Sequence, residues 1–205
     1  MTKNSDIVFV RIPKNASTSV YEALREKNLV QRKLPNFYDM VFNSAYCRNF
    51  FCPSHQSYYA LTRLIGDQVR QARSFAIIRN PFDRLVSMYS FMKKHSIHEL
   101  YGKDPMSFKE FLMFICARKD DPTFFHAHSQ RSWVVDEKNQ IAVDSVLRFD
   151  RLKEDFSVLM KKWGLPEVEL PCKNSTKHKP FSEFFDRSLS NFVFYHYQED
   201  FKLWD

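Results

Sequence analysis

The sequence predicts an α/β fold: a single domain over residues 1–205 with a central, mainly parallel sheet flanked by helices. Three observations support this. Short apolar runs at 7–10, 74–78 and 143–149 are typical of buried strands, amphipathic helical patterns separate them, and no linker or repeat divides the chain. A chain of 205 residues is also long enough to bury one core.

The first strand is predicted at 7–10, where four apolar and mostly β-branched residues follow one another. Pro13 ends it, because proline has no N–H to donate to a central ladder. A helix is predicted over 17–27, where Val20, Ala23 and Leu24 fall on one face.

The loop between this strand and this helix has the composition of an anion site. Lys14 supplies a point charge, Ser17, Thr18 and Ser19 supply donors, and the first helix amides have no partners within the helix. It is not a Walker A loop, since it contains no glycine. An ordinary helix start with Ser17 as N-cap explains the same residues.

The middle of the chain predicts a strand with loops over 29–53 and then a helix that ends at Gly66. After the strand at 74–78, Asn80 is a good N-cap and Pro81 a good first helical residue. The helix that follows carries an apolar stripe, formed by Phe82, Leu85, Val86, Tyr89 and Met92.

The last third predicts further alternation of helix and strand. We expect, in order, a helix at 106–117, an irregular segment at 124–135, a strand at 143–149, a helix at 151–163 ended by Gly164, a basic loop at 173–179 and a helical tail at 181–204.

The junction after 74–78 resembles the first one, because groups that can bind an anion again follow a strand and lead into a helix. Arg79 follows the strand, and its guanidinium fork matches a phosphate, while the Ser87 hydroxyl on the next helix can donate to the same group. Parallel strands bind ligands at their carboxyl ends, so both junctions would open at one edge. Taken alone, Arg79 fits a structural salt bridge equally well, and Ser87 fits a solvated helix face better.

Composition narrows the class of protein. Hydrophobic residues make up 44% and Phe is present 21 times, which indicates a globular chain. The net charge of +7 favours an anionic partner, or serves solubility alone. A nucleic-acid-binding module is disfavoured because the basic residues are dispersed and most aromatic residues fall at core spacing.

Nothing in the sequence predicts a membrane segment or a signal peptide, so a cytoplasmic location is expected. The four cysteines show no Cys-x-x-Cys spacing, which argues against a zinc site and for free thiols: Cys47, Cys52, Cys116 and Cys172.

The segments Pro-Lys-Asn-Ala-Ser-Thr-Ser at 13–19 and Arg-Asn-Pro-Phe-Asp-Arg-Leu-Val-Ser at 79–87 resemble the two nucleotide-binding motifs of sulfotransferases. They are most similar to the carbohydrate type, the Golgi glycan sulfotransferases and their bacterial relatives. Weaker similarity extends over nearly the whole chain, at Gln130, Trp133, 144–156, 174–176 and 197–201.

This resemblance implies a P-loop-kinase-like fold and PAPS (3′-phosphoadenosine 5′-phosphosulfate) as co-substrate, with no metal. It assigns Arg79 and Ser87 to the 3′-phosphate. Asn15 stands where the family usually has Thr, and since Asn keeps a donor we expect binding to survive. The 5′-phosphosulfate is assigned to Lys14, Asn15, Ala16, Ser17, Thr18 and Ser19.

Sulfuryl transfer needs a general base and positive charge at the reacting group. Lys14 is the predicted charge, and His55 is the predicted base. The context of His55 is similar to the His-x-Ser-Tyr segment of uronyl 2-O-sulfotransferases, although Pro53 replaces the first His of their His-x-His pair. His126 and His128 are the alternatives.

The expected acceptor is a hydroxyl group, most simply that of a glycan. The alternatives are a small-molecule alcohol such as a lipid or natural product, and a related protein that binds nucleotide or nucleic acid without catalysis. The sequence leaves the oligomeric state open. The candidates for contacting an acidic glycan or the nucleotide are Arg131, Lys173, Lys177 and Lys179.

Overall fold

The computed structural model describes residues 6–27, 29, 40–44, 47–51, 55–94, 106–170 and 179–205, with the backbone alone for 40–44 and 47–51. The chain forms two compact units. We call Met1–Ile78 with Gln130–Asn174 the sheet unit, and Arg79–Ser129 with Ser175–Asp205 the helical unit. The assignment of 1–205 to one sulfotransferase domain stays a prediction.

The described residues form both strands and helices. The strands are β1 (Ile7–Val10), β2 (Met40–Ser44), β3 (Cys47–Phe51), β4 (Arg73–Ile78) and β5 (Ser145–Arg148). The helices are α1 (Ser17–Glu26), α2 (Tyr58–Ile65), α3 (Asp67–Gln71), α4 (Pro81–Lys94), α5 (Phe108–Cys116), α6 (Arg131–Val134), α7 (Leu152–Lys162), α8 (Arg187–His196) and α9 (Gln198–Trp204).

The strands form one sheet in the order β2-β3-β1-β4-β5. β1 pairs in parallel with both β3 and β4, and β4 pairs in parallel with β5, while β2 lies antiparallel to β3. The predicted α/β fold with a mainly parallel sheet is therefore confirmed. Because β1 and β4 are parallel neighbours, the chain leaves both at the same edge.

The core of the sheet unit follows from the two-residue period of its strands. Ile7 and Phe9 join the cluster that also holds residues of α1 and α7. Val8 and Val10 point to the other face and are equally buried, as expected for a parallel sheet covered on both sides. Phe9 stacks on Phe75 of β4 with ring centroids 4.4 Å apart.

The helical unit has a separate core that is rich in Met and Phe. Leu85, Met88 and Met92 of α4 pack with buried residues of α5 and with Val193 of α8. The stripe predicted for α4 thus lies on its buried side, although Phe82 and Tyr89 are only partly buried. The helix begins as predicted, since the Asn80 Oδ1 accepts from the Phe82 amide at 3.0 Å.

Most predicted element positions agree with the structure within a few residues. The helix over 151–163 begins as a 3-10 turn, Phe149–Arg151, before α7, and Gly164 has the positive φ of 65° of a helix-ending residue. The prediction of an irregular segment at 124–135 was wrong in part, because a 3-10 turn at Phe125–Ala127 and the short α6 lie there.

Asn80 should control the stability of α4. Replacing it with Ala removes the acceptor for the first helix amides and should lower the free energy of unfolding by about 1 kcal/mol. Asn80→Asp keeps an acceptor and should stay close to wild type. Urea denaturation followed by circular dichroism checks both, and equal destabilisation by the two substitutions would contradict the capping role.

Candidate active site

The loop after β1 adopts an unusual backbone without any glycine. Lys14 has φ 69° and Ala16 has φ 58°, both in the left-handed region that favours glycine, and Asn15 lies between them. Left-handed residues within a short loop are a feature of the backbone concavities that bind anions. Lys14 itself is half-buried.

The Asn15 side chain anchors this loop to two other segments of the sheet unit. Its side chain is fully buried, and its Nδ2 donates to the Ile77 carbonyl at 2.7 Å and to the Gln130 Oε1 at 2.7 Å. Because both partners accept, the NH2 end of the amide must face them. The donor that we expected Asn15 to keep is therefore committed to protein groups.

The start of α1 is not capped by Ser17. The N-cap is Ala16, and among the described residues no side chain caps the first turn, which also lacks an acidic residue. The alternative of Ser17 as N-cap is wrong, since Ser17 is already helical and buried. Ser19 is buried as well, whereas Thr18 is exposed. The amides of this turn therefore lack the side-chain acceptor that usually satisfies them.

His55 belongs to the same unit as this loop, and it forms a hydrogen bond with Arg11, which precedes the loop. Its Nδ1 lies 3.0 Å from the Arg11 carbonyl, which only accepts, so Nδ1 carries the proton in the neutral ring. The lone pair is then on Nε2. His55 has φ 53°, just ahead of α2, whose N-cap is Ser57. The predicted base and Lys14 are thus brought into one region of the sheet unit.

The surroundings of His55 keep its ring neutral. Burial lowers the pKa of the imidazole below 6.5, and the positive charges of Arg11 and Lys14 lower it further, against the opposing effect of the Arg11 carbonyl. The edge of the Trp133 ring faces the imidazole at 6.4 Å between centroids. A neutral imidazole near neutral pH is the form that can accept a proton.

The two alternative histidines belong to the helical unit. The His128 Nε2 lies 2.7 Å from the Asp121 carbonyl, to which it must donate. His126 stacks on Phe125 at 4.1 Å between centroids. Their backbone carbonyls accept hydrogen bonds from Arg84, so this segment has a structural function of its own.

The residues of the second motif lie at the start of the helical unit. The Arg79 Nε donates to the Asp83 Oδ2 at 2.6 Å, so the salt bridge considered for Arg79 is present. Arg79 is 7% exposed and Ser87 is 3% exposed. The alternative of a solvated face for Ser87 is therefore wrong, because this residue lies on a buried face of α4.

The basic residues considered for acceptor binding are partly accounted for. Arg131 donates to the side chain and carbonyl of Asn139, and the Lys179 Nζ pairs with Glu183 at 2.9 Å. Lys173 and Lys177 lie outside the described residues. Within the part that the structure describes, no group of three or more His, Cys, Asp or Glu is arranged to hold a metal ion.

Cys116 is a buried free thiol, and burial raises its pKa to about 12. The other three cysteine side chains lie outside the described residues. None of the helices in the described ranges is both long and apolar enough to cross a bilayer.

Two features of the site were missed by sequence reasoning. Gln130 was noted only for its resemblance to a later family segment, but it is the partner of Asn15, 115 residues away. The Arg11 carbonyl, which holds His55 across 44 residues, gave no signal at all. Neither contact follows from local spacing, because backbone carbonyls and long-range amide pairs leave no periodic pattern.

The described residues of the sheet unit thus combine a mainly parallel sheet, a lysine-bearing loop after β1 and a buried histidine with a lowered pKa. The family comparison gives the class. The profile of the sulfotransferase family matches residues 1–205, and the chain belongs to that family. The predicted family is thereby confirmed.

The fold comparison agrees with this result. The crystal structure of mouse sulfotransferase SULT7A1 complexed with PAP is similar to this chain, with a TM-score of 0.56 and 14% sequence identity. The match covers 97% of this chain and 83% of the mouse protein. No curated protein sequence matches the chain significantly. The sulfotransferase fold predicted from the two motifs is thus confirmed.

Asn15 should be intolerant of a negative charge. Asn15→Ala leaves two buried acceptors without a donor and should lower the free energy of unfolding by about 1–3 kcal/mol. Asn15→Asp sets a carboxylate against those same acceptors and should cost more than the alanine change. Thr18→Ala, at an exposed neighbouring position, is the control. Urea denaturation measures all three, and wild-type stability of Asn15→Asp would contradict the assigned orientation.

Proposed function

We propose that this sulfotransferase moves a sulfuryl group from PAPS to a hydroxyl of a carbohydrate, with His55 as general base and Lys14 as the charge that stabilises the transition state. The observation that carries the proposal is the hydrogen bond between His55 and the Arg11 carbonyl, which keeps a neutral imidazole beside the Lys14 loop. This position argues against the alternative of a related protein without catalysis.

The proposed site for the 5′-phosphosulfate is the loop after β1 with the first turn of α1. Its support is the left-handed backbone at Lys14 and Ala16, the helix start without a side-chain cap and the lack of an acidic residue in that turn. Each of these favours an anion. The contributing residues are Lys14, Asn15, Ala16, Ser17, Thr18 and Ser19, with Asn15 acting through its backbone.

The proposed site for the 3′-phosphate uses Arg79 and Ser87. Arg79 follows β4 directly, and β4 is the parallel neighbour of β1 at the edge where the first loop begins. The bond between its Nε and Asp83 orients the guanidinium, a fork with five N–H donors. Burial of Ser87 suits a hydroxyl that donates to a ligand better than one that faces water.

The proposed reaction transfers one proton, forms one bond to sulfur and breaks another. The His55 Nε2 takes the acceptor hydroxyl proton while the acceptor oxygen bonds to sulfur, and the bond between sulfur and the 5′-phosphate oxygen breaks. PAP, the desulfated nucleotide, leaves with that electron pair. Lys14 and the loop amides stabilise the negative charge that develops on the sulfuryl and phosphate oxygens.

A carbohydrate acceptor is proposed because the His-x-Ser-Tyr context of His55 resembles that of uronyl 2-O-sulfotransferases, and a net charge of +7 suits an acidic glycan. The second candidate is a small-molecule alcohol such as a lipid or natural product. A cytoplasmic location stays a prediction, which cell fractionation with an antibody would test.

PAP binding tests the nucleotide site. Wild type should bind PAP in a calorimetric titration, and Arg79→Ala should weaken binding by about 10- to 100-fold, because charge-assisted hydrogen bonds to the phosphate are lost. Arg70→Ala is the matched control, since Arg70 is a half-exposed arginine that pairs with Asp67 and Glu137. Absence of PAP binding by wild type would overturn the proposed function.

Removal of the base tests catalysis. His55→Ala should reduce sulfuryl transfer by about 100-fold or more while PAP affinity stays within about twofold. His196→Ala, at a partly exposed histidine of α8, should leave transfer unchanged. A variant at His55 that transfers sulfate at the wild-type rate would contradict the assignment.

The pH dependence follows from the same residue. The neutral ring is the active form, so kcat/KM should fall as the pH drops through the pKa of His55. Because burial lowers that pKa below 6.5, the acid limb of the kcat/KM profile should lie below pH 6.5.

A comparison of acceptors tests the proposed substrate class. Transfer to uronic-acid oligosaccharides, compared with transfer to long-chain alcohols, separates the two acceptor classes.

A further inference from the structure

Two buried residues of the sheet unit, Gln130 and Trp133, contact the two parts of the proposed catalytic site. The Gln130 Oε1 accepts from the Asn15 Nδ2 at 2.7 Å, next to Lys14 in the chain. The Trp133 ring lies at 82° to the His55 ring, with 6.4 Å between their centroids. Because the two residues are three positions apart in one helical turn, they lie on the same side of α6.

The sheet, rather than α6 itself, fixes the position of this turn. A helix of four residues has too few hydrogen bonds to be stable alone. The Val134 carbonyl at its end accepts from the Ala142 amide at 2.8 Å. Asp144 then joins the segment to β4, because its amide donates to the Ser74 carbonyl at 3.0 Å and its Oδ2 accepts from the Ser74 amide at 2.6 Å. α6 is therefore anchored to a strand of the same unit.

Core packing alone does not explain a glutamine at position 130. Its side chain is 1% exposed, and an apolar side chain of similar length would fill the same volume without the cost of burying an amide. What Gln130 adds is an acceptor at a fixed place, in front of the only buried amide group of the loop at 13–17. This contact restrains the backbone on both sides of Asn15.

Trp133 affects the surroundings of His55 in a different way. Its ring is 3% exposed and shields one side of the imidazole from water. Burial is the largest cause of the lowered pKa of His55, and the charged groups that lower this pKa further are Arg11 and Lys14. Arg131 of α6 donates instead to Asn139.

We propose that Gln130 and Trp133 are positioning residues of the proposed active site: Gln130 fixes the Lys14 loop through the Asn15 amide, and Trp133 encloses the imidazole of the base. This inference rests on the proposed function, because it assumes that the loop binds the 5′-phosphate and that His55 takes the hydroxyl proton. It extends that function to α6, which supplies no proposed ligand contact.

PAP binding by the full chain, measured by calorimetry, tests Gln130. Gln130→Met keeps the length of the side chain but removes its acceptor, so it should weaken binding by about tenfold. In the Asn15→Ala background the same change should add less than about twofold, because the hydrogen bond through which it acts is already absent. Gln140→Met, at an exposed glutamine of the same segment, is the control and should bind PAP as wild type does.

An NMR titration of the imidazole signals tests Trp133, with the His55 signal identified by its loss in His55→Ala. Trp133→Leu should raise the pKa of His55 toward 6.5, because the ring becomes less shielded from water, while PAP affinity stays within about twofold. Trp163→Leu is the control. The Trp163 ring packs on Phe75 and Arg73, so its loss should lower stability without changing the pKa of His55.

The two measurements separate positioning from a purely structural contribution. Wild-type PAP affinity in folded Gln130→Met, additive losses in the cycle with Asn15, or an unchanged pKa of His55 in folded Trp133→Leu would each overturn the inference, whatever the unfolding temperature. If these variants do not fold, Gln130→Leu and Trp133→Phe replace them, and the same outcomes apply. No PAP binding by wild type would instead overturn the proposed function, and the inference with it.

Discussion

The hydrogen bonds of the Asn15 side chain are the interaction on which the rest of the site depends. One buried NH2 group joins the loop after β1 to the end of β4, through the Ile77 carbonyl, and to the start of α6, through Gln130. Both acceptors are carbonyl oxygens shielded from water, so neither can be left without a donor at low cost. These two bonds restrain the loop between Pro13 and Ser17, and the proposed function depends on such restraint because electrostatic stabilisation of a transition state needs preorganised groups.

This support also explains how the loop after β1 keeps its left-handed residues without glycine. Non-glycine residues in the left-handed region cost about 1 kcal/mol or more each, and they persist where the surroundings over-determine them. Here Lys14 and Ala16 carry that strain on either side of the anchored Asn15. A glycine loop would avoid the strain but would be more flexible when empty. Strain at these two positions is thus compatible with a site that is rigid before it binds its donor.

Lys14 and His55, the two polar groups considered at this loop, differ in their burial and in their charge. Lys14 is half-buried and supplies charge, whereas His55 is desolvated enough to stay neutral beside Lys14 and Arg11. The positive charges of Arg11 and Lys14 lower the pKa of the imidazole, and in the proposed reaction the same charges favour an anionic donor. In the helical unit, burial has the opposite use: Arg84 and Asp200 balance one another and direct the backbone of a single turn.

The sequence by itself determined the α/β class, the three strands at 7–10, 74–78 and 143–149 and the two motif-bearing junctions, because these depend on local periodicity, proline positions and caps. Asn80 shows this well: its N-cap position is a property of the residue and its immediate neighbours. What the sequence could not determine was which polar groups face protein and which remain for a ligand. Ser87 was assigned to a ligand with a solvated helix face as the alternative, and it is buried. Ser17 was a candidate cap and is not one, and Asn15 was expected to donate to a ligand but donates to Gln130, 115 residues away. Only the tertiary structure decides such pairings, because they join groups that are distant in the chain, and burial then requires each of them to find a partner.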